Sequence, residues 1–222
     1  MSIFTCVQES ARATISEDAK LVRLVLVRHG ETAWNREKRV QGSSDIPLSD
    51  NGIRQAELLA SSLADEKIDI VVTSPLRRAL QTASIINERL KAPLVADEDL
   101  KELDQGDFEG MGFMELMNIH SDFLKSWVAD PASVSMPGGE SLPALQERAW
   151  RAVMRIEASY KNALVVSHYF AITAILCRAV GMPLSDFRKI RLENTSKTII
   201  EAEGDGYVAL VINDTAHLKI AH

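Results

Sequence analysis

Two histidines and two arginines stand next to short apolar runs that are typical of buried strands. Arg28 and His29 directly follow one such run, and His168 directly follows another. Arg78 lies near the start of a helical pattern that comes after a third run. In open α/β sheets the ligand-binding edge is formed by the carboxyl ends of the strands, so these side chains are expected together. Guanidinium groups match phosphate oxygens, and the set therefore favours a phosphate site, although a lone histidine here also fits a surface turn.

A phosphate site that contains histidine can transfer the phosphoryl group through an imidazole. A neutral imidazole has a lone pair on one ring nitrogen, which can attack phosphorus in line with the leaving alcohol and form a phosphohistidine. The sequence shows no group of Asp, Glu, His or Cys with metal-ligand spacing and no P-loop pattern. We therefore expect the chemistry to need no metal and no other cofactor.

Five motifs along the chain occur in an order that is typical of one known family. They are Arg28-His29-Gly30-Glu31-Thr32 with Trp34-Asn35, Gln41-Gly42 and Asp45-Ile46-Pro47-Leu48; Ser74-Pro75-Leu76-Arg77-Arg78-Ala79 with Gln81-Thr82-Ala83; Glu102 with Gly106, Glu109 and Gly110; Pro137-Gly138-Gly139-Glu140-Ser141; and Val166-Ser167-His168. With them the chain resembles the histidine phosphatase superfamily, or phosphoglycerate-mutase-like family, over roughly residues 21–213. One short motif would be weak, whereas five in order are specific.

The resemblance implies a role for each residue of the catalytic set. His29 is implied as the nucleophile, and Arg28, Arg78 and His168 are implied to hold the equatorial oxygens of the phosphoryl group. Glu102 matches the position that protonates the leaving alcohol and later deprotonates the attacking water. Two alternatives stay open, since Arg78 could be a surface arginine and Glu102 lies in an acidic stretch that could simply be solvated.

Four further positions are candidates for contacts with the substrate. Asn35, Gln41 and Gly42 match family positions that touch phosphate or substrate. The chain departs from the family after His168, where small residues, often two glycines, are usual and Tyr169-Phe170 stand instead. We expect His168 to keep its role and Tyr169 to reshape the pocket as a substrate contact.

Hydrophobic periodicity predicts an alternation of strands and helices. The fold class expected from this order is α/β, a three-layer α/β/α sandwich with a mostly parallel sheet and helices on both faces. Ser49, Ser74 and Ser141 are expected to cap helices, and Pro75 is expected at the first helical position after Ser74. The predicted strands are residues 21–27, 68–72, 93–96, 163–166, 195–203 and 207–213, and the predicted helices are residues 50–65, 75–90, 142–160 and 169–180, with one or two short helices within 113–127.

Composition sets the limits on compartment and partners. The chain has 222 residues with 46% hydrophobic and 25% charged residues, which fits a globular domain over 21–222 with an N-terminal extension over 1–20. A net charge of −6 argues against nucleic acid as a partner, and no run is long enough to cross a membrane. The two distant cysteines and the lack of a signal peptide predict a cytoplasmic protein, and assembly as a homodimer stays open.

Three functions compete, and a lid-like insertion at residues 106–137 bears on the choice. They are a phosphomonoester hydrolase of broad specificity for small phosphorylated metabolites, a cofactor-dependent phosphoglycerate mutase, and a module that binds a phosphorylated ligand. The family's mutases have a longer insertion and tend to have Thr-Gly in place of Gln41-Gly42, so hydrolysis is favoured; a binding module would have lost the nucleophile. The insertion is rich in apolar residues, namely Phe108, Met111, Phe113, Met114, Met117, Phe123, Trp127 and Met136. They predict a preference for larger substrates, unless they only pack against the body of the protein.

Overall fold

A computed structural model describes residues 22–204 and 206–219 and shows one six-stranded sheet in this part of the chain. The extension predicted for residues 1–20 lies outside the described residues. The strands are β1 (Arg23–Arg28), β2 (Ile70–Thr73), β3 (Leu94–Ala96), β4 (Asn162–Ser167), β5 (Lys197–Glu203) and β6 (Gly206–Asp214). The α-helices are α1 (Ala33–Arg36), α2 (Asp50–Ser62), α3 (Arg77–Leu90), α4 (Phe113–Ile119), α5 (Ser121–Ala129), α6 (Leu142–Ser159) and α7 (Tyr169–Ala179).

The sheet is mostly parallel, as predicted, and its order is β3-β2-β4-β1-β5-β6. The first four strands in this order pair in parallel, whereas β5 pairs antiparallel with β1 and β6 pairs antiparallel with β5. The central strands β1 and β4 are neighbours, with Arg28 opposite Ser167. Because both strands run in the same direction, their carboxyl ends bring His29 and His168 to the same edge.

Helices cover both faces of the sheet, which confirms the three-layer architecture. Successive residues of a strand point to opposite faces, so Leu24 and Leu26 of β1 join the apolar core that contains α6 and α7, while Val25 and Val27 join the core that contains α2 and α3. All four side chains are buried, as a strand enclosed on both faces requires.

The start of α3 differs from the prediction. The side chains of Ser49 and Ser141 cap α2 and α6 as expected, but α3 begins at Arg77, with Leu76 as a cap residue that makes no side-chain hydrogen bond. The hydroxyl of Ser74 lies 2.8 Å from Nε2 of His168 instead, and it also accepts a 3.3 Å hydrogen bond from the Leu76 amide. The prediction of Ser74 as the helix cap was wrong because this hydroxyl bonds to a residue distant in the sequence.

Two short helices, α4 and α5, make up half of the predicted lid. Phe123 of α5 packs edge-on against Phe108 at 4.9 Å between ring centroids, and Trp127 packs at 6.0 Å from Phe187. The guanidinium of Arg188 donates to the carbonyls of Trp127 and Val128 at the end of α5, which ties this helix to the body of the protein. None of the helices in the described ranges has the length and apolar character that crossing a bilayer would need.

Candidate active site

The sheet edge opens into a cavity of about 740 Å³ that contains most of the sequence-predicted site. Six of the nine candidate residues line it, namely Arg28, His29, Asn35, Gln41, Glu102 and Tyr169. The other three, Arg78, His168 and Gly42, do not line the cavity but contact residues that do. Their placement follows from the contacts described below.

His29 directly follows β1 and is held as a neutral imidazole. Its Nδ1 lies 2.7 Å from the carbonyl oxygen of Gly30, which can only accept a hydrogen bond, so Nδ1 carries the proton and Nε2 keeps its lone pair. Burial lowers the pKa of His29 well below its ordinary 6.5, and the charges of Arg78 and Arg28 lower this pKa further. Only glycine fits at position 30, because a Cβ there would lie 2.6 Å from the carbonyl oxygen of Gly52.

His168 directly follows β4 and lies against the nucleophile, with its ring 5.1 Å from that of His29. Both of its ring nitrogens have partners. Nε of Arg78 donates to Nδ1 at 3.2 Å, so Nε2 carries the proton and donates to the hydroxyl of Ser74 at 2.8 Å. Burial and the nearby charge of Arg78 lower the pKa of His168 well below 6.5, which keeps this imidazole neutral as well.

Arg78 is completely buried behind the cavity, so the surface alternative for this residue is wrong. Its guanidinium donates to the carbonyl oxygens of Gly42 and Ser44, both at 2.7 Å. With its amide group turned so that it donates to Thr32, Gln41 places its oxygen 3.2 Å from two nitrogens of Arg78. Burial lowers the pKa of Arg78 to about 10, which still leaves it charged at neutral pH.

Gly42 was predicted to touch phosphate or substrate, but it does not line the cavity, and its carbonyl accepts a hydrogen bond from Arg78. A Cβ at this position would lie 2.7 Å from the amide nitrogen of Gln105 and within 2.3 Å of a carboxylate oxygen of Glu109. Glu109 itself accepts hydrogen bonds from the amides of Ser43 and Ser44. The segment is therefore packed so closely against residues 103–109 that it holds the carbonyl groups that position Arg78.

Arg28 ends β1 and lines the cavity, and part of its guanidinium is held by the protein. One terminal nitrogen donates to the carbonyl of Leu192 at 2.6 Å, and the guanidinium lies 5.6 Å from the ring centroid of Tyr169. Tyr169 in turn donates from its hydroxyl to the carbonyl of Ile190 at 3.0 Å. The Nε group of Arg28 is buried and has no hydrogen-bond partner among the described residues. A buried, charged donor without a partner favours the binding of an anion at this place.

Glu102 is buried at the amino terminus of α7, so a solvated acidic loop is excluded for this residue. Its Oε1 accepts hydrogen bonds from the amides of Leu103 at 2.9 Å, Phe170 at 3.1 Å and Ala171 at 3.3 Å. From the residues that the structure describes, Oε2 accepts only one long hydrogen bond of 3.3 Å, from Phe170. Burial raises the pKa of Glu102 above its ordinary 4.5, although the amide donors and Arg78 oppose this. The arrangement suits a carboxyl group that holds its proton on Oε2.

A second layer of polar residues orients the lining residues, and the sequence reasoning missed two of its members. Asn194 donates to the carbonyl of His29 at 3.0 Å and to Oδ1 of Asn35 at 3.4 Å. Ser74 holds His168 as described above. Asn35 and Thr32 form a capping box at the start of α1. Ser74 stands inside a recognised motif, so its signal was present, whereas nothing in the sequence around Asn194 indicates its contacts.

The outer walls of the cavity are apolar, and helices α4 and α5 supply much of them. Two of the residues singled out from the sequence do not contribute: Met111 packs against the core, and Met114 is 67% exposed. The lid residues that do line the cavity are Phe108, Phe113, Leu116, Met117, Phe123, Leu124, Trp127, Val128 and Met136. Within residues 22–204 and 206–219, no three His, Cys, Asp or Glu side chains are grouped as metal ligands.

Comparisons with known proteins show the family of this chain. The profile of the histidine phosphatase superfamily (branch 1) matches residues 24–215. Phosphoserine phosphatase 1 of Hydrogenobacter thermophilus is 35% identical over 200 residues, which cover 89% of this chain and 95% of that protein. The probable phosphoglycerate mutase GpmB of Yersinia pestis is 34% identical over 208 residues, which cover 90% of this chain and 96% of that protein.

A solved structure gives the same result for the fold. The structure of mycobacterial glucosyl-3-phosphoglycerate phosphatase superimposes with a TM-score of 0.80 at 27% identity, covering 87% of this chain and 99% of that one. The match therefore extends over nearly the whole of each relative, and the candidate site residues lie together at one sheet edge. The chain belongs to branch 1 of the histidine phosphatase superfamily and is a phosphatase of the histidine type.

Proposed function

We propose that this protein hydrolyses phosphomonoesters without a metal, through a phosphohistidine on His29, with broad specificity for small phosphorylated metabolites and a preference for larger alcohols. The observation that carries the proposal is the state of His29. Its Nδ1 proton is donated to the carbonyl of Gly30, burial lowers the pKa of its imidazole, and its side chain lines the cavity. Nε2 therefore has a lone pair at neutral pH without the help of a general base.

In the first step, the Nε2 lone pair of His29 forms a bond to phosphorus while the bond from phosphorus to the alcohol oxygen breaks. Glu102 gives its proton to the departing oxygen, so the products are the free alcohol and a phosphohistidine. In the second step, a water oxygen attacks phosphorus, the nitrogen–phosphorus bond breaks, and Glu102 takes the proton from the water. A raised pKa suits both roles, because the carboxyl group must hold a proton first and accept one later.

Arg28 and Arg78 stabilise the negative charge that spreads over the phosphoryl oxygens in each step. Arg28 offers its free Nε donor, and Arg78 is fixed by the carbonyls of Gly42 and Ser44. A direct hydrogen bond from His168 to a phosphoryl oxygen requires its Nε2 proton to exchange the hydroxyl of Ser74 for the phosphate. While the hydrogen bond to Ser74 is kept, His168 acts through Arg78, because its Nδ1 accepts a hydrogen bond from Nε of Arg78.

The shape and lining of the cavity support a preference for larger alcohols. Every substrate shares the phosphoryl contacts, so discrimination must come from what touches the alcohol. That part of the cavity is walled by the aromatic and apolar side chains of the lid, and a volume of about 740 Å³ is in the range of pockets for drug-sized ligands. The relative that is named for glucosyl-3-phosphoglycerate has a bulky substrate in its name, in line with this proposal.

The mutase remains the second candidate, because one relative is named a probable phosphoglycerate mutase. Two assays separate the two: hydrolysis of p-nitrophenyl phosphate in the presence of EDTA, and isomerisation of 3-phosphoglycerate in the presence of 2,3-bisphosphoglycerate. We expect hydrolysis that exceeds isomerisation. The reverse order would assign the mutase, and binding of phosphorylated ligands without either turnover would assign the binding module.

The mechanism is tested by His29→Ala, which removes the nucleophile and should lower kcat by about 10³ or more. The wild type, quenched during turnover of a radiolabelled phosphomonoester, should carry an acid-labile and base-stable phosphoryl group on His29. A label on another residue, or no label under single-turnover conditions, would exclude the phosphohistidine mechanism.

A further inference from the structure

The charges along the cavity fall into two separate groups. Among the described residues that line it, Glu102 is the only acidic one, although the whole chain carries a net charge of −6. At the base, Arg28 and the buried Arg78 together match the double negative charge of a phosphoryl group. Lys38, Arg39 and Arg188 also line the cavity, but all three are exposed and so belong to its mouth. These three charges are in excess of what the phosphoryl group needs.

Two of the three cations at the mouth already have partners. Arg39 donates to the carbonyl of Gly110 at 2.6 Å and lies 5.1 Å from the Trp34 ring centroid. Arg188 donates to carbonyls at the end of α5. For the ammonium group of Lys38, in contrast, the described residues supply no hydrogen bond or ion pair. A cation at the mouth of a binding cavity that has no structural partner is available to a ligand.

The backbone of Lys38 is fixed between the phosphate site and the lid. Its amide donates to the carbonyl of Asn35 at 3.2 Å, and its carbonyl accepts from the amide of Phe113, the first residue of α4, at 3.1 Å. Lys38 has a positive φ of 54°, and this left-handed backbone conformation forms the tight turn. The point from which the side chain extends is therefore set by structure on both sides, and its flexible stem lets the ammonium group adjust to an anion at the mouth.

Between the two groups of cations the cavity is apolar. Phe108, Leu116 and Trp127 are buried and line it, and Phe170 completes the wall beside Trp127 at 6.3 Å between ring centroids. An uncharged, partly aromatic alcohol part of a ligand fits this stretch, because it brings no polar group that the apolar wall would leave unpaired. The cavity thus runs from a phosphate site through an apolar section to a cationic mouth.

We propose that the preferred substrates are phosphomonoesters whose alcohol has an apolar body and ends in a second anionic group, a carboxylate or a phosphate. The second anion binds Lys38, with Arg39 and Arg188 adding to the positive field. This inference rests on the proposed function, since it assigns the substrate class of the same site. A simpler explanation is that the mouth attracts every phosphomonoester equally, and the experiment below separates the two.

The experiment uses biphenyl-4-yl phosphates that differ only at the 4′ carbon. The 4′ substituent is a carboxylate, a phosphonate or a neutral carboxamide, so the leaving phenol and the apolar body stay nearly the same. For the wild type we expect kcat/KM for the carboxylate or the phosphonate to exceed that for the carboxamide by about fivefold or more at low salt. The larger of the two ratios identifies which anion the mouth prefers, and both should shrink at high salt.

Lys38→Asn removes the charge and keeps a residue type that tolerates positive φ, and Lys38→Glu reverses the charge. We expect the anion-to-carboxamide ratio to fall about twofold or more in the first variant and about fivefold or more in the second. Lys91→Asn is the matched control, because Lys91 is also exposed with a positive φ of 55° but caps the end of α3 and does not line this cavity. Its ratio should equal that of the wild type.

Two results would overturn the inference while leaving the proposed function intact. One is a wild-type ratio near one despite turnover of all three substrates. The other is an equal loss of kcat/KM for anionic and neutral substrates in both Lys38 variants, which would show general attraction of phosphomonoesters. Failure of the wild type to hydrolyse any of the three, without a phosphohistidine in a single turnover, would overturn the proposed function and this inference together.

Discussion

Glu102→Gln separates proton transfer by this carboxyl group from its structural role. Oε1 accepts three amide hydrogen bonds, from Leu103, Phe170 and Ala171, whereas Oε2 accepts one long bond. The amide oxygen of glutamine can take the place of Oε1 and keep the three bonds, while its NH₂ group takes the place of Oε2. The variant should therefore fold like the wild type and lack only the titratable proton.

The size of the effect depends on how much the leaving oxygen needs that proton. General acid catalysis contributes about 10²- to 10⁴-fold, so we expect kcat/KM for an alkyl phosphate to fall by about 10³, or about 4 kcal/mol. p-Nitrophenolate leaves without protonation, and its kcat/KM should fall by less than about tenfold. Hydrolysis of the phosphohistidine still needs the base, so Glu102→Gln should release one equivalent of p-nitrophenol in a burst and then stall with phosphate on His29.

Two neighbouring acids serve as controls, because each has a structural contact and lies outside the lining of the cavity. Asp104 accepts a hydrogen bond from the amide of Gly106 at 2.9 Å, and Glu109 accepts one from the amide of Ser44 at 2.7 Å. Asp104→Asn and Glu109→Gln should show no difference between the alkyl and the aryl substrate. Equal losses for both substrates in Glu102→Gln, or a leaving-group effect in one of the controls, would refute the assignment of Glu102.

Three further predictions follow from the same site. EDTA should leave activity unchanged and vanadate should inhibit as a mimic of five-coordinate phosphorus; activity that is lost in EDTA and restored by Mg²⁺ would contradict the mechanism. Met117 lines the cavity and Met114 does not, so Met117→Ala should change the ratio of kcat/KM for a large and a small substrate at least about twofold, while Met114→Ala leaves it unchanged. Burial lowers the pKa of His29 and His168, so below pH 6.5 the unfolded chain binds more protons than the folded one. The free energy of unfolding should therefore decrease as the pH decreases, by up to about 1.4 kcal/mol per pH unit for each histidine. Urea unfolding should show a smaller change in the free energy of unfolding between pH 6.5 and pH 5.5 for His29→Asn than for the wild type, and equal changes would refute this. Glu102, with its raised pKa, reduces the change in both proteins alike.

The sequence was sufficient to predict those parts of the fold that depend on local patterns. The strand before His29 is apolar on both faces because helices cover both faces of the sheet, and this burial appears directly in its composition. A strand that ends in a functional residue then places that residue at the ligand-binding edge. The same rule placed His168 correctly, since β4 lies beside β1 and runs in the same direction.

The contacts that hold the site together were beyond local patterns. Ser74 and His168 are separated by 94 positions, and Arg28 and Leu192 by 164, so neither pair has a periodicity that could reveal it. Ser74 also satisfies the pattern of a helix cap, and the competing hydrogen bond from His168 decided against that role. In the lid, α4 and α5 are too short for spacing alone to show which methionines face the cavity, and the exposed position of Met114 depends on how α4 packs.

The departure from the family pattern at Tyr169-Phe170 bears on the substrate more than on the catalytic chemistry. The contact of Phe170 with Glu102 comes from its backbone amide, so a smaller residue at this position would supply the same hydrogen bond to the acid. The ring of Phe170, in contrast, packs against Trp127 of the lid and Phe187 of the body, and it lines the cavity. Tyr169 adds a ring beneath Arg28. Two glycines at these positions would therefore leave the acid in place but remove two aromatic rings that line the cavity. If the proposed function holds, exchange of the bulky pair for glycines should change the relative kcat/KM of different alcohols more than it changes the chemical step.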